Sequence, residues 1–179
     1  MRKVEVVPHN PEWRAVFEEE AGLIAAALGA NAAAIHHIGS TSVPNIYAKP
    51  VIDLLIEVGD ITELDKQSSA MESLGYEVMG EFGIPGRRYF RKDAPGGIRT
   101  HQIHAFERGS AEAGRHLAFR DYLTAHPADA LEYSELKRKL AEEHPHDLDA
   151  YMDGKDGFIE EIDRRAAQWV ADFEVRISD

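Results

Sequence analysis

The sequence predicts an α+β fold in which a mixed β-sheet is followed by a helical C-terminal part. Residues 33–106 contain short apolar runs separated by glycine, proline and polar turn residues, a pattern typical of strands. From residue 111 onward, apolar residues instead recur every three to four positions, as on the buried face of a helix. The length of 179 residues is that of one domain. We therefore expect a single domain over 1–179, sheet-rich in 1–108 and helical in 111–175.

The individual elements follow from their start and stop signals. Asn10 and Pro11 predict a helix start, because Asn caps free N–H groups and Pro loses no hydrogen bond at the first helical position. Gly29 ends that helix, and Asp60 caps a second helix that runs to about Leu74. Strands are predicted at 33–38, 51–58, 76–80, 88–92 and 98–106. Three further helices are predicted over roughly 111–125, 128–143 and 148–171.

Composition limits the partners and the chemistry. Twenty Lys and Arg against 32 Asp and Glu give a net charge of −12, which repels nucleic-acid phosphates. The absence of cysteine excludes disulfides and thiolate catalysis, so a metal would need oxygen or imidazole ligands. No apolar run approaches the ~18 residues of a membrane span, and no signal-peptide core follows the N-terminal basic residues. We expect a cytoplasmic protein that binds neither nucleic acid nor membrane, with no identified protein partner.

A glycine- and hydroxyl-rich turn precedes the second predicted strand. Gly39, Ser40 and Thr41 follow the first strand, and Asp53 lies in the next apolar run. Glycine lets the backbone approach a phosphate, hydroxyl and N–H groups can bind its oxygens, and a strand carboxylate can hold a divalent metal. This pattern favours phosphoryl or nucleotidyl transfer. The alternative is structural: a polar surface turn beside a buried acid that pairs with an arginine.

The second strand offers fewer metal ligands than such chemistry usually needs. Alternation places Asp53, Leu55 and Glu57 on one face. At ~3.3 Å per residue the two acids lie about 13 Å apart, too far to share one ion. Position 55 would have to supply the second ligand, and leucine has no oxygen to give.

Seven ordered segments resemble the GrpB family and together extend over most of the chain. They are HIGSTSVP at 37–44, AKPVID at 48–53, PGRRYFRK at 85–92, HQIH at 101–104, FRDYL at 119–123, YSELK at 133–137 and YMDGK at 151–155. The family's fold belongs to the nucleotidyltransferase superfamily. The resemblance therefore implies a nucleotidyltransferase-like sheet flanked by helices, a Gly-Ser turn that binds nucleotide phosphates, and carboxylates that bind Mg²⁺ or Mn²⁺. Some members are fused to a kinase of the coenzyme A pathway, which points to nucleotide ligands.

Carried over residue by residue, the resemblance makes Gly39 and Ser40 the phosphate-binding turn and Asp53 a catalytic metal ligand. The position expected to hold the second carboxylate is occupied by Leu55. A third is expected on the strand at 98–106, where Thr100, Gln102 and His104 alternate on one face and none is acidic. His104 could act there as a metal ligand or base, or it could be a structural, hydrogen-bonded histidine.

Several basic residues could complete a phosphate site. Arginine binds phosphate bidentately and lysine acts as a point charge, so an anion could be bound by Lys49, Arg87 and Arg88. The alternative is that these side chains neutralise acidic residues of the protein. Thr41 could bind the same phosphates, and His37 could reach them as well; the alternative is that His37 is a structural residue at the end of a strand. Lys137 and Lys155, on the predicted C-terminal helices, could reach into the same cleft.

Two functions remain open from the sequence. The first is a nucleotidyltransferase that binds a nucleoside triphosphate or phosphorylated metabolite with Mg²⁺ or Mn²⁺ and transfers a nucleotidyl group to a small acceptor. Asp53 would then bind the metal, and Lys49 with Arg87 or Arg88 would stabilise the leaving group. The second is a non-catalytic nucleotide- or phosphate-binding module that has lost the second metal carboxylate, as Leu55 suggests.

Overall fold

A computed structural model describes residues 3–178 and confirms the α+β class. Helix α1 (Glu12–Leu28) precedes strands β1 (Ala32–Ile38) and β2 (Ile52–Val58). Two short helices, α2 (Ile61–Lys66) and α3 (Ser68–Ser73), lead to β3 (Glu77–Val78). A hairpin of β4 (Arg88–Ala94) and β5 (Ile98–Glu107) follows. The chain then forms the helices α4 (Ala111–Ala125), α5 (Pro127–Glu143) and α6 (Leu148–Ser178).

The five strands form one mixed sheet in the order β1-β2-β5-β4-β3. β2 runs parallel to β5, whereas β1 is antiparallel to β2, and β4 is antiparallel to both β5 and β3. The register of β2 on β5 places Asp53 beside Gln102 and Leu55 beside His104. Residues predicted to share one face of each strand are thus direct neighbours in the sheet.

The predicted alternation of β2 is confirmed on both faces of the sheet. Ile52, Leu54 and Ile56 belong to a core that also contains Ile24 and Leu28 of α1. On the opposite face, a smaller core contains Leu55 together with Phe106 and Ala113, the latter from α4. Because both faces of β2 are covered by helices, the strand is apolar along nearly its whole length.

The C-terminal helices form a core of their own that joins the segment following β1. Residues of α4, α5 and α6 enclose Val43 and Ile46. Gly154 sits where α6 crosses α5: a Cβ at this position would lie 2.5 Å from Cδ2 of Leu140. Glycine therefore permits a helix approach that alanine would obstruct. No helix within residues 3–178 has both the length and the apolarity needed to cross a membrane.

The structure differs from the predicted elements in three places. The predicted helix after Asp60 begins as expected, with the Asp60 carboxylate accepting from the N–H groups of Thr62 and Glu63. It breaks at Gln67, because that side chain donates to the Leu28 carbonyl at 3.0 Å and joins the chain to the end of α1. The strand predicted at 76–80 pairs only over Glu77–Val78, and the last helix extends beyond residue 171 to Ser178.

Candidate functional site

A cavity of about 300 Å³ lies between the sheet and the C-terminal helices. The end of β1, the start of β2 and the middle of β5 border it on one side, and residues of α4, α5 and α6 border it on the other. The predicted turn residues Gly39, Ser40 and Thr41 lie on its wall together with Lys49 and Asp53. The two parts of the sequence signature therefore meet at one place.

Gly39 allows the turn and the carboxylate of Asp53 to touch. Its φ of +70° and ψ of −175° lie in a region that L-residues rarely adopt. A Cβ on Gly39 would lie 2.5 Å from Oδ2 of Asp53. Ser40–Ser42 then form one 3₁₀ turn, in which the Ser42 hydroxyl donates to the Gly39 carbonyl at 2.5 Å. Backbone conformation and close approach both require glycine here.

Thr41 and His37 hold the base of the turn. Thr41 is 3% exposed, and its hydroxyl receives a hydrogen bond from Nε2 of His37 at 2.9 Å and donates to the Val51 carbonyl at 3.4 Å. His37 stacks on Phe17 and borders a neighbouring groove rather than the cavity. Burial, with the nearby charge of Arg120, lowers the pKa of His37 to about 4. The structure thus gives His37 a position behind the turn, away from the predicted phosphate site.

Asp53 is the acidic side chain on the cavity wall. Burial raises its pKa to about 7, against the opposing effects of Lys49 and Lys155. Its partners on the adjacent strands are Gln102, an amide, and Ile38, and the fully buried Leu55 lies two positions along β2. At neutral pH the carboxyl group is therefore divided between its protonated and ionised forms.

A divalent metal fits this set of side chains poorly. Mg²⁺ and Mn²⁺ favour several oxygen ligands, usually with more than one carboxylate, whereas the cavity adds to Asp53 only neutral groups (hydroxyls, the amide of Gln102 and imidazoles among them) and basic side chains, three of them lysines, that repel a cation. Over the described part of the chain, 3–178, no group of three or more His, Asp or Glu side chains could hold a metal ion. The expected metal site thus lacks the ligands that would hold an ion without help from a bound molecule.

Three lysines surround the cavity, two of them from the C-terminal helices. Lys137 is 1% exposed, donates to the Tyr47 carbonyl and lies 4.3 Å from the ring centroid of Tyr133. Burial and the charge of Lys155 lower the pKa of Lys137 to about 7. Burial and the charge of Lys49 lower the pKa of Lys155 to about 8, although Asp53 opposes this effect. Positive charge is thus crowded here, and a bound anion would relieve that crowding.

His104 lies on the cavity wall in its neutral form. Burial, followed by the effects of His116 and Arg87, lowers its pKa to about 3. Its Nδ1 accepts a hydrogen bond from Nη1 of Arg87 at 3.3 Å. Arg87 is itself 7% exposed and also donates to the carbonyls of Glu81 and Phe82. The arginine predicted to bind phosphate lies behind His104 and does not border the cavity.

Arg88 also lies away from the cavity. It forms a bidentate ion pair with Asp65, with nitrogen–oxygen distances of 2.5 and 2.8 Å. Arg88 begins β4 and pairs with Asp65, whereas Arg87 precedes the strand and contacts His104, so the two arginines lie in different surroundings. Of the residues predicted to bind phosphate, the structure brings together Gly39, Ser40, Thr41 and Lys49 around Asp53 and His104, and it leaves His37, Arg87 and Arg88 outside.

Five further cavity residues with polar side chains were not predicted to act in the site. They are Gln102, Arg115, His116, Tyr133 and Tyr151. Gln102 had a detectable signal, since it shares a strand face with His104. Arg115 pairs with Glu112 and Asp163 at 3.0 and 3.1 Å, so its charge is largely balanced within the protein. The other side chains come from helices whose rotation the sequence pattern fixes only approximately.

Known proteins resemble this chain in sequence or fold to different degrees. Residues 3–165 match a family model described as GrpB protein. The UPF0157 protein YqkA of Bacillus subtilis is 46% identical over 94% of this chain, which spans 48% of that relative's length. The crystal structure of the conserved protein GrpB from Enterococcus faecalis is 46% identical, with a TM-score of 0.88 over 93% of this chain and 99% of that one. A structure of Cid1 in complex with its short product ApU aligns more weakly, with 12% identity and a TM-score of 0.43 over 75% of this chain and 39% of that one.

Proposed function

The chain belongs to the GrpB family, and we propose that its cavity binds a nucleotide or another small phosphorylated metabolite without needing a metal ion. One observation carries this proposal: three lysines converge on a cavity that holds one acidic side chain, Asp53. We also propose that the protein acts in the cytoplasm, where such ligands are abundant.

The charges of the cavity favour a phosphate group. Lys137 and Lys155 are largely buried, and their lowered pKa values reflect the cost of holding two ammonium groups away from water. A phosphate oxygen near them would stabilise the charged forms of both. In many phosphate-binding sites a divalent ion balances the ligand's charge, and here the lysines can do so instead.

The size of the cavity limits how much of the ligand it encloses. About 300 Å³ is at the lower end of the range for small-molecule sites, roughly 300–1,000 Å³. It suits a phosphate or diphosphate group with little else, or a compact phosphorylated metabolite. The rest of a nucleotide would extend beyond the enclosed volume.

A second candidate is metal-dependent nucleotidyl transfer. The observation that favours it is the contact between the turn at Gly39 and the carboxylate of Asp53, which is the arrangement expected of a phosphate turn beside a metal ligand. The two candidates differ in what Asp53 does. In the binding module its negative charge opposes the anion, whereas in the transferase it is indispensable.

Thermal stabilisation distinguishes the two candidates, because binding to the native state raises the melting temperature. The purified protein is mixed with ATP, GTP, CTP, UTP, pyrophosphate or coenzyme A precursors, each with Mg²⁺, Mn²⁺ or chelator. We expect a shift that persists in chelator, survives Asp53→Asn and is lost in Lys155→Met. Lys139→Met is the matched control, because that lysine is exposed and pairs with Glu143.

Opposite results would favour the transferase. A shift that requires the metal and disappears in Asp53→Asn would contradict metal-independent binding and support the second candidate. Release of pyrophosphate from one triphosphate under the same conditions would identify the donor. No shift with any ligand in any condition would contradict both proposals.

A further inference from the structure

Arg87 occupies a buried position between a loop and the cavity wall. Its Nη2 donates to the Phe82 carbonyl at 2.6 Å and its Nε to the Glu81 carbonyl at 3.2 Å. Nη1 reaches Nδ1 of His104 at 3.3 Å, and the guanidinium also packs 5.0 Å from the ring centroid of Tyr89. Phe82, whose carbonyl anchors the guanidinium, has a φ of +45°, an uncommon conformation for a residue other than glycine. The guanidinium is thus held in a fixed orientation.

The contact with Arg87 determines which nitrogen of His104 carries the proton. A guanidinium has donors but no acceptor, and it stays protonated in proteins. Nδ1 of His104 must therefore accept, and a neutral imidazole that accepts at Nδ1 carries its proton on Nε2. The lowered pKa of His104, about 3, agrees with a neutral ring.

The Nε2 atom of His104 is available to a ligand. His104 borders the cavity. Among residues 3–178 the side-chain hydrogen bond of His104 is the one at Nδ1, and Nε2 is not one of the buried polar atoms left without a partner, so it keeps an open surface. An N–H donor at Nε2 would add to the attraction that the three lysines give the cavity for anions.

We infer that Arg87 is a positioning residue that holds His104 in the form protonated on Nε2, so that the ring donates a hydrogen bond to a phosphate oxygen in the cavity. The second half of this inference rests on the proposed function. The sequence suggested that His104 could be a base or a metal ligand. Both roles require an unprotonated nitrogen facing the site, and the contact with Arg87 uses the only one the neutral ring has.

The first test needs no ligand. Long-range ¹H–¹⁵N spectra of the full chain labelled with ¹⁵N-histidine report the protonation of each ring nitrogen. For the wild type we expect a single form with Nε2 protonated, a hydrogen-bonded Nδ1, and no titration of His104 from pH 5 to 9. In Arg87→Ala the ¹⁵N chemical shift of Nδ1 should lose the contribution of the hydrogen bond. The chemical shifts of Nδ1 and Nε2 should become more similar, because the two tautomers then exchange. His104 should also titrate at a higher pH than in the wild type. Arg91→Ala is the matched control, because that arginine pairs with Glu77 at the sheet surface, and it should change none of these signals.

The second test measures the donor directly, with pyrophosphate in chelator as the probe. Isothermal titration should show binding roughly 10- to 100-fold weaker in both His104→Ala and Arg87→Ala, because each loses one hydrogen bond to a charged group. The double variant should lose little more than either single variant, since Arg87 acts through His104. Arg91→Ala should bind as the wild type does.

The inference is overturned if the wild-type spectrum shows a proton on Nδ1, or if Arg87→Ala leaves the nitrogen shifts and titration unchanged. The wild-type spectrum decides the tautomer even if Arg87→Ala fails to fold. Additive losses in the double variant would overturn the claim that Arg87 acts through His104. Absence of pyrophosphate binding in the wild type would contradict the proposed function and the donor role, while the spectra would still decide what Arg87 does to His104.

Discussion

Replacing Lys137 with methionine should make the protein more stable and at the same time remove its affinity for anions. The pKa of Lys137 falls from 10.5 to about 7 on folding, and at about 1.4 kcal/mol per pH unit the buried ammonium costs at most about 5 kcal/mol. Methionine removes this cost but leaves the Tyr47 carbonyl unpaired, a loss of about 1–3 kcal/mol. The expected net gain in the free energy of unfolding at pH 6 is therefore about 2–4 kcal/mol.

The pH dependence gives this prediction its sign. The folded protein releases the Lys137 proton at about pH 7 and the unfolded chain at 10.5, so the stability of the wild type rises across this window as pH rises. The advantage of Lys137→Met should accordingly be complete below pH 7, shrink above it and be gone near pH 10.5. There the unpaired carbonyl should make the variant the less stable protein.

Urea unfolding at pH 6, 8 and 10 measures these differences, with pyrophosphate titration as the second readout. Lys139→Met, on the exposed side of the same helix, should change the free energy of unfolding by less than about 0.5 kcal/mol at any pH. A variant that is destabilised equally at pH 6 and pH 10 would refute the reasoning, because burial of the ammonium would then carry no cost. Undiminished pyrophosphate affinity would refute the role assigned to Lys137 in the site.

Three further outcomes are expected. Gly39→Ala should lower the free energy of unfolding by about 1–3 kcal/mol through backbone strain, and it should weaken pyrophosphate binding because the new Cβ displaces Asp53. Gly29→Ala is the control: its φ of +58° causes similar strain, but nothing lies near its Cβ, so it should lower stability without changing affinity. Equal affinities in the two variants would argue against a role for the Gly39 contact. Gly154→Ala should destabilise the protein by about 1–3 kcal/mol in denaturant unfolding, through overpacking against α5. Gly157→Ala, with open space around its Cβ, should instead stabilise it by up to about 1 kcal/mol. A Gly154 variant more stable than the Gly157 variant would contradict the close helix contact. Sulfate keeps its charge between pH 6 and pH 9, and its affinity should be at least about tenfold weaker at pH 9. Over that range the buried lysines lose protons and Asp53 ionises. An affinity that calorimetry finds constant with pH would contradict the lysine-based site.

Much of the fold could be predicted because it depends on patterns within single segments. The apolar run of β2 indicated a strand covered on both faces, and the observed cores on its two sides confirm this. The break at Gln67 could not be predicted, because its cause is a hydrogen bond to Leu28, 39 residues earlier in the chain. Local propensity favoured one continuous helix there, and a tertiary contact divided it.

The candidate site was only partly accessible from the sequence. The turn at Gly39 and the carboxylate of Asp53 lie close together in the chain, so a short motif could indicate them. The importance of Lys137 depends on its enclosure by Tyr47 and Tyr133, whereas the nearby Lys139 is exposed. Helical periodicity separates such lysines by face but does not show which face closes a cavity.

The division of the cavity wall between the sheet and the last helices gives an occupant a mechanical role. The turn after β1 and the start of β2 are separated by about 90 residues from Lys137 and by still more from Lys155. An anion that contacts both parts acts as a reversible cross-link. Its binding free energy adds to the free energy needed to separate α5 and α6 from the sheet. Hydrogen exchange should therefore slow most in those two helices when the cavity fills, and least in α1 on the far face of the sheet.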